Sequence, residues 1–408
     1  MAEDAREEPF PWHLGIFDSH CHPTDTMASI PSISEMRARV LTIMATRGED
    51  QDLVACVADK YGVKSSDQGK WEREECVVPC FGWHPWFSHQ MYVSEGDGPG
   101  NGGAEGGNEA PRALQGEEKV RHYQSVLQAR PVRVELSEED RRLFLSLPNP
   151  QPFSQFLSQM RKNLEKYPFA LVGEVGLDRS FRIPEPWSSE QEAQRNGELT
   201  AGGREGRRLS PFRVNPEHQK KLFKMQLQLA AEMGRAVSVH GVQAHGVLFD
   251  AIKELYEGHE KKVVNRKERR LRTRDHNYDE EESSDSSPKP YPPRICLHSY
   301  SGNRSIFGQY LNPTIPVEIF VSFSTAINLS DDLESENPRA FEEMVKSVPD
   351  HMLLIESDLH TAGERMDQRL EDIVRRVCKI KGWGLDEGAK RLATNWFRFV
   401  FGTGSKGA

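Results

Sequence analysis

The stretch Phe17-Asp18-Ser19-His20-Cys21-His22-Pro23 is the part of the chain that first indicates both a fold and a chemistry. Apolar residues lead into it, and two histidines stand two positions apart. In a β-strand such residues point to the same face of the sheet. Neutral imidazole is the commonest metal ligand in proteins. The stretch therefore predicts a buried strand that ends in two imidazoles, and a metal site there needs further ligands from elsewhere in the chain.

Length and composition limit the class of protein. The chain has 408 residues, a formal net charge of −9, 37% hydrophobic residues and 28% charged residues. This length fits two average domains or one α/β barrel with insertions. The acidic balance excludes a global basic field for nucleic acid, so a nucleic-acid substrate would be bound by a local basic patch or by metal ions.

The sequence shows no feature of a secreted or membrane protein. The N-terminus is acidic and has no apolar segment of the kind that signal peptides contain, and no run approaches 18 apolar residues. Most of the six cysteines lie in apolar, strand-like runs. We therefore expect reduced thiols, no membrane span and a location in the cytoplasm, the nucleus or both.

Seven further apolar runs resemble the first one and mostly alternate with segments of helical periodicity. They cover residues 40–45, 76–82, 169–178, 236–241, 294–302, 317–323 and 352–358. Short apolar strands that alternate with helices are typical of parallel βα units. Eight such units predict a (β/α)₈ TIM barrel that uses the whole chain, residues 1–408, as one domain.

Three polar insertions interrupt this pattern, at residues 94–135, 183–213 and 258–293. Their Gly-, Glu- and Pro-rich composition predicts flexible, partly disordered segments. The third insertion has a basic run at residues 261–274, followed by an acidic run at 279–285. The basic run could contact a phosphate backbone or serve as a nuclear-import signal, and the alternative is a solvated charged loop.

Histidines and carboxylates stand where the predicted strands end. In a TIM barrel the active site is formed at the carboxyl ends of the strands. The polar residues at these ends are His20, His22, His84, Glu174, His240, His298 and Asp358. Each alone would be an ordinary hydrogen-bonded or capping side chain, but their joint placement at one barrel mouth predicts a metal site.

The ligand set is too large for one ion. Four histidines and two carboxylates exceed the four ligands of a tetrahedral zinc site. They suit two divalent ions, Mg²⁺, Mn²⁺ or Zn²⁺, with Glu174 as the bridging ligand. A two-ion site lowers the pKa of a shared water and stabilises both the attacking and the leaving oxygen in hydrolysis. We therefore expect a metal-dependent hydrolase.

At this point the sequence resembles a known family, the TatD-type metal-dependent hydrolases and deoxyribonucleases of the amidohydrolase superfamily. The resemblance covers nearly the whole chain outside the insertions. The motifs that carry it are Asp18-Ser-His-Cys-His22, Gly82-Trp-His-Pro85, Gly173-Glu-Val-Gly-Leu-Asp178, His240, His298-Ser-Tyr-Ser-Gly302 and Glu356-Ser-Asp358. The insertions make the chain most similar to a fungal branch labelled as interacting with a tetratricopeptide subunit of the anaphase-promoting complex. That label implies a tetratricopeptide-type protein partner.

The resemblance also implies roles for the site residues. One metal ion would be held by His20, His22 and Asp358, and the other by His240 and His298. Glu174 would bridge the two ions. Asp358 would also orient or deprotonate the attacking water, and His84 would face the substrate phosphate outside the metal shell. The implied reaction is hydrolysis of a phosphodiester, often at a DNA end.

Several positions that face the substrate differ from the usual family pattern. Arg179-Ser180-Phe181 follows the Gly-Leu-Asp motif, Val242 stands where an arginine is common, and Leu359-His360 follows the last aspartate. Metal binding is therefore the firmer expectation and DNA specificity the weaker one. Trp83 and Trp86 flank His84 and could stack on a base, although packing in the core or at the rim is an equal alternative.

Two other functions remain open. The first is an interaction protein of the same fold with little or no catalysis, suggested by the insertions and the altered substrate positions. The second is a non-nuclease amidohydrolase. Glu174 in place of a carbamylated lysine argues against the cyclic-amidase type, and the lack of a His-x-x-Glu motif after the fifth strand argues against deaminases.

Overall fold

Eight parallel strands form the central sheet. The computed structural model describes residues 8–94, 112–132, 135–188, 190, 193, 207–263 and 289–403. The strands, β1 to β8 in chain order, pair with their sequence neighbours throughout. They are Phe17–Cys21, Val40–Met44, Val77–Phe81, Leu171–Asp178, Val237–Val242, Arg294–Leu297, Glu318–Phe323 and Leu353–Ile355. The prediction of eight parallel strands in a barrel is confirmed.

Helices surround the sheet and fill its connections. In chain order, α1 to α11 are Gly48–Tyr61, Gly116–Val126, Glu138–Ser146, Phe153–Lys166, Pro216–Glu232, His245–Tyr256, Arg304–Tyr310, Thr325–Asn328, Arg339–Ser347, Glu364–Lys381 and Leu385–Phe401. Short 3₁₀ turns lie at Trp12–Leu14, Pro23–Asp25, Met27–Glu35, Gln68–Lys70, Pro85–Gln90 and Asp350–Met352. Within the described residues, no helix is both long and apolar enough to cross a membrane.

The barrel closes between β1 and the segment after β8. The Asp358 N–H donates to the His20 carbonyl at 3.0 Å, and the His22 N–H donates to the Leu359 carbonyl at 2.9 Å. The buried Asp18 carboxylate accepts the Ser357 N–H at 3.0 Å and so ties the same two ends together. The closing contacts therefore lie at the ends of strands whose side chains are predicted metal ligands.

The C-terminal helix α11 covers the opposite end of the barrel. Trp396 stacks on Phe17, the first residue of β1, with ring centroids 4.6 Å apart. The Asn395 amide donates to the Leu353 carbonyl at the start of β8, at 2.8 Å. The Arg294 Nε at the start of β6 donates to the Phe399 carbonyl at 2.7 Å. These apolar and polar contacts seal the amino ends of the strands and leave the carboxyl ends open.

The described ends of the first two insertions contain a helix and two short strands. Helix α2 and strand Leu127–Ala129 come from the segment 94–135, and Leu127–Ala129 pairs antiparallel with Phe212–Val214 at the end of the segment 183–213. With α3 they form an accessory lobe around an apolar cluster of their own. Its members include Val120, Tyr123, Val126, Leu127, Leu143, Phe144, Phe181, Ile183, Phe212 and Val214.

The other parts of the insertions lie mostly outside the described residues. These parts include residues 95–111, 194–206 and 264–288. The expected flexibility of these parts and the proposed role of the basic run at 261–274 stay predictions.

Histidines of α2 and α5 bind the turn that follows β3, which carries a third histidine, His89. His122 donates from Nε2 to the His89 carbonyl at 2.8 Å, and His218 donates from Nε2 to the Ser88 carbonyl at 2.9 Å. Both carbonyls belong to the turn Pro85–Gln90, which His84 precedes. Burial lowers the pKa of His218 to about 4 and that of His89 to about 3. These imidazoles are therefore neutral in the folded protein at neutral pH.

Replacing Phe144, which is 1% exposed, by alanine should destabilise the lobe. The loss of a buried phenyl ring and the cavity left behind should cost about 3–5 kcal/mol of unfolding free energy. Leu145→Ala on the same helix is the matched control, because Leu145 is 42% exposed. Chemical denaturation measures the unfolding free energy of both variants. Equal effects of the two substitutions would show that the lobe has no packed core.

The neutral histidines predict a pH dependence of stability. In the unfolded chain they take up protons below about pH 6.5, whereas the folded protein excludes protons down to the lowered pKa values. Their contribution to the free energy of unfolding is therefore complete above pH 6.5 and is lost as the pH falls toward 4. His218→Gln should make the fall in unfolding free energy between these pH values shallower. His13→Gln, at an exposed histidine, should keep the wild-type slope, and identical slopes in all three proteins would contradict the prediction.

Candidate metal centre

A cavity of about 460 Å³ opens at the carboxyl ends of the strands. The predicted strand-end residues His22, His84, Glu174, His240, His298 and Asp358 line it. His20 has no exposed surface and lies against the same cluster. The structure thus brings together all seven histidines and carboxylates that the sequence analysis selected.

Glu174, near the middle of β4, lies between two sets of imidazoles. Its Oε2 atom is 3.5 Å from His20 Nε2 and 3.3 Å from His22 Nε2. Its Oε1 atom is 2.7 Å from His240 Nδ1 and 2.8 Å from His298 Nε2. The two oxygens of one buried carboxylate therefore face different groups of nitrogen atoms, which is the arrangement that a bridging ligand needs.

The first group also contains Asp358. Its Oδ1 atom is 3.4 Å from His22 Nε2 and 3.7 Å from His20 Nε2, and the two Nε2 atoms are 3.1 Å apart. The Asp358 backbone has φ +51°, a conformation that is rare for a residue with a side chain and is concentrated at functional sites. The two backbone hydrogen bonds of the barrel closure hold the chain on either side of it.

In the second group, Asp178 fixes the orientation of His240. His240 Nε2 donates to Asp178 Oδ2 at 3.2 Å, which leaves Nδ1 directed at Glu174 and 3.2 Å from His298 Nε2. Asp178 is held in turn by the Trp86 indole N–H, which donates to Oδ2 at 2.6 Å. A carboxylate behind a ligating histidine sets the tautomer and raises the basicity of the imidazole.

His298 has a carboxylate near its outer nitrogen, and His20 has a hydrogen bond there. His298 Nδ1 lies 3.4 Å from Glu356 Oε1, and Glu356 accepts hydrogen bonds from the hydroxyls of Ser299 and Ser322. His20 Nδ1 lies 2.8 Å from the Ser238 hydroxyl. In both histidines the other nitrogen, Nε2, is therefore the atom that faces the cluster.

His84 differs from the other histidines in its tautomer. Its Nδ1 accepts the Trp86 backbone N–H at 3.1 Å, and burial lowers its pKa to about 4. The neutral ring therefore carries its proton on Nε2, 3.1 Å from Glu174 Oε1. Although His84 lies close enough to Glu174 and His240 to share an ion with them, this tautomer makes Nε2 a hydrogen-bond donor rather than a ligand.

The electrostatics of the cluster favour a positive charge at its centre. Burial opposes ionisation of Glu174, but the surrounding imidazoles outweigh it and hold the pKa of this carboxyl well below its ordinary value. Asp358 likewise has its pKa lowered to about 2, because the neighbouring histidines outweigh burial. Asp358 and Glu174 raise the pKa of His22 well above the ordinary value, and Glu174 and Glu356 do the same for His298, in both cases against burial. Protons or a metal cation can supply the positive charge.

The donor set fits divalent ions. Ligand atoms about 2.1 Å from an ion, at tetrahedral or octahedral angles, are about 3.0–3.4 Å apart. The facing nitrogen pairs, His20 with His22 and His240 with His298, are 3.1 and 3.2 Å apart. Imidazole suits Zn²⁺ and carboxylate suits Mg²⁺ and Mn²⁺, so the mixed set does not select one metal.

The two tryptophans beside His84 occupy different environments. Trp86 lines the cavity and stacks on Phe181 of the accessory lobe, with centroids 4.7 Å apart. Trp83 is 6% exposed and packs edge-on against Phe156, at 5.1 Å. Trp83 does not line the cavity and takes the core position that was the alternative expected for it, whereas Trp86 lies in the cavity wall.

A glycine allows β4 and β5 to approach closely enough for this geometry. Gly176 has φ +152° and stands opposite His240 in the sheet. A Cβ atom there would lie 2.0 Å from the His240 carbonyl oxygen. The second glycine of the Gly-Glu-Val-Gly-Leu-Asp motif is therefore required by the contact between the two ligand-bearing strands.

The residues that support the clustered histidines were not predicted from the sequence. Asp178 and Glu356 stand inside quoted motifs at strand ends, so their position was a usable signal. Ser238, Ser299 and Ser322 had none, because a serine in a buried strand is ordinary and its partner is distant in sequence.

Comparison with known proteins agrees with this geometry. The family model described as TatD related DNase matches residues 17–401. The chain is 33% identical over 388 residues to the Cut9-interacting protein scn1 of Schizosaccharomyces pombe, covering 94% of this chain and 98% of that protein. It is 26% identical over 399 residues to an uncharacterized deoxyribonuclease of Saccharomyces cerevisiae, covering 94% and 99%.

A solved structure shares the fold. The crystal structure of an uncharacterized amidohydrolase from Saccharomyces cerevisiae aligns over 95% of this chain and 99% of that chain, with a TM-score of 0.51 and 12% identity. The expected family is confirmed by the match over nearly the whole chain together with the strand-end residues. The protein belongs to the TatD-related DNase family.

Proposed function

We propose that the protein is a two-metal-ion phosphodiesterase whose main substrate is DNA. The observation that carries the proposal is the position of Glu174, whose two oxygens face separate nitrogen groups. His20, His22 and Asp358 would hold one ion, and His240 and His298 the other, with Glu174 between them. The family match, which is named for DNase activity, supports a nucleic-acid substrate.

Bound divalent ions would lower the pKa of water and stabilise the negative charge that develops on the attacking and leaving oxygens. Asp358, ionised at neutral pH, would accept a proton from the attacking water at its carboxylate. The new P–O bond would form to the water oxygen as the bond to the leaving nucleotide oxygen breaks, and the leaving oxygen would take up a proton from solvent. The products are a phosphate monoester and a hydroxyl, so one water is consumed per bond.

His84 and Trp86 would contact the substrate. The Nε2–H of the neutral His84 ring lies 3.1 Å from Glu174 Oε1, and once Glu174 binds metal ions this N–H would donate to a non-bridging phosphate oxygen. The face of Trp86 forms part of the cavity wall and offers a surface on which a base can stack. These contacts would position the phosphate and would be made outside the metal ligands.

A second candidate function is the binding of a protein partner. The fission-yeast relative, aligned over 98% of its length, is named for its interaction with Cut9. We propose a partner of that kind, for which the sequence resemblance suggests a tetratricopeptide protein in the cytoplasm or nucleus. Normal metal content without turnover of DNA, RNA, small phosphodiesters or cyclic amides would favour binding alone, and turnover of cyclic amides alone would favour an amidohydrolase.

The double substitution His20→Ala and Glu174→Ala should abolish cleavage. It removes one ligand of the first ion and the bridge between both, so cleavage should fall by at least about 100-fold. End-labelled single- and double-stranded DNA with Mg²⁺ or Mn²⁺ measures it, and 5′ and 3′ labels distinguish cleavage at an end from internal cleavage.

The control for this experiment is the double substitution His13→Ala and Glu257→Ala, which changes the same residue types at exposed positions. It should retain wild-type cleavage. Cleavage that persists in the variant without His20 and Glu174 would exclude the proposed centre, whatever the protein's other activities.

Asp178→Asn should weaken metal binding without unfolding the protein. Loss of the charge behind His240 removes the acceptor that fixes its tautomer, and such changes typically cost about 10- to 100-fold in metal affinity. Calorimetric titration with Mn²⁺ or Zn²⁺ measures the change. The control is Asp67→Asn, because Asp67 also accepts a backbone N–H in a turn but lies away from the cavity. Unchanged affinity in Asp178→Asn would show that His240 is not a ligand.

A further inference from the structure

Strand β2 contributes an arginine to the mouth of the cavity. Arg47 follows the end of β2 and lines the cavity together with His22 and His84. Arg47 is the only arginine or lysine among the described residues that line this cavity. It is 8% exposed, so its charge is largely withdrawn from water.

The Nε atom of this guanidinium makes no hydrogen bond within the described part of the chain. Arg47 Nε is buried and has no hydrogen-bond partner there, and Asp50 Oδ1 is 3.5 Å away, beyond a good hydrogen bond. Glu49 Oε2 is 3.9 Å from the same atom. A guanidinium has five N–H donors. Asp50 and Glu49 compensate part of the charge, but neither accepts a hydrogen bond from Nε, and an anion that enters the cavity would supply the missing acceptor.

Neighbouring groups hold Arg47 at the cavity wall. Its guanidinium carbon is 5.2 Å from the centroid of the Phe87 ring, which also lines the cavity. Asp50 accepts the Thr46 N–H at 3.2 Å, and the Thr46 carbonyl accepts the His84 N–H at 2.8 Å. The loop that carries Arg47 is thus bonded to the segment that carries the proposed phosphate donor.

The position of Arg47 suits a phosphate at the metal centre. In the sheet, β2 lies between β1, which leads into His22, and β3, which precedes His84. Guanidinium matches the geometry of a phosphate group with two parallel N–H···O bonds and stays charged at all relevant pH values. Val242, at the end of β5, lines the same cavity without a charge.

We propose that Arg47 binds a non-bridging oxygen of the substrate phosphate and so selects anionic phosphodiesters over neutral esters and amides. The inference rests on the proposed phosphodiesterase function and deepens it. Arg47 is a specificity-determining residue of that site. It follows β2, whereas β4 and β5 lie on the other side of β3, the strand that precedes His84.

Phosphate binding tests the role of Arg47 without requiring turnover. Inorganic phosphate is titrated by calorimetry into the Mn²⁺-loaded full-length protein. Arg47→Met should weaken phosphate binding by about 10- to 100-fold, the effect of losing a charged hydrogen bond. Arg47→Lys, which keeps the charge but not the planar fork, should give an intermediate affinity. Metal content and unfolding, measured in parallel, confirm that each variant is folded and loaded.

Arg37→Met is the matched control. Arg37 precedes the other end of β2, its Nε lies 3.7 Å from an Asp367 oxygen, and its guanidinium lies over the Trp12 ring at 4.6 Å. It therefore has the same kinds of partners but lies away from the cavity. Arg37→Met should bind phosphate as the wild type does. Wild-type phosphate affinity in Arg47→Met, or no phosphate binding by the wild type, would overturn the inference.

Kinetics separate failure of this inference from failure of the proposed function. With bis(4-nitrophenyl) phosphate, an anionic diester, kcat/KM should fall by about 10- to 100-fold in Arg47→Met. With 4-nitrophenyl acetate, a neutral ester, the ratio of variant to wild type should stay near one. If the wild type cleaves no phosphodiester, the proposed function is wrong. The phosphate titration then still shows whether Arg47 binds phosphate. A wild type that cleaves the diester no faster than Arg47→Met contradicts the inference alone.

Discussion

A buried carboxylate that must be neutralised governs the architecture of this site. Glu174 is 3% exposed, and an ionised carboxylate at such a position is costly unless cations or hydrogen bonds compensate it. The compensation comes from imidazoles on β1, β3, β5 and β6, which approach from both sides of the carboxylate. Each of these side chains is placed by the end of a strand, so the closure of the barrel sets the separation of the donor atoms.

Support for the ligands extends outward to the accessory lobe. Asp178 orients His240, the Trp86 indole donates to Asp178, and the Trp86 ring stacks on Phe181 in the apolar cluster of the lobe. The lobe therefore packs against Trp86, a residue of the cavity wall, and through two polar contacts supports the orientation of one proposed ligand. Helix α2 lies in a segment of polar composition, yet its apolar residues Val120, Tyr123 and Val126, at helical spacing, pack into this cluster.

The sequence patterns were most informative where chemistry and fold coincide. Histidines and carboxylates at the ends of apolar strands predicted which side chains would meet, because parallel strands bring their carboxyl ends to one edge of the barrel. Arg47 was missed because an arginine after a strand resembles any helix-capping or surface residue. Trp83 was grouped with Trp86 because they are three residues apart, whereas the turn after His84 directs one ring into the core and the other to the cavity.

The sequence by itself determined the eight-stranded barrel, the family and the set of strand-end donors, since strand periodicity and residue type are local properties. Only the tertiary structure decided which oxygen of Glu174 faces which histidines, which nitrogen of His84 carries the proton, and that Asp178, Glu356 and Ser238 lie behind the ligands. These features depend on distances between residues far apart in the chain. Such distances are set by strand register and barrel closure, which local patterns do not contain.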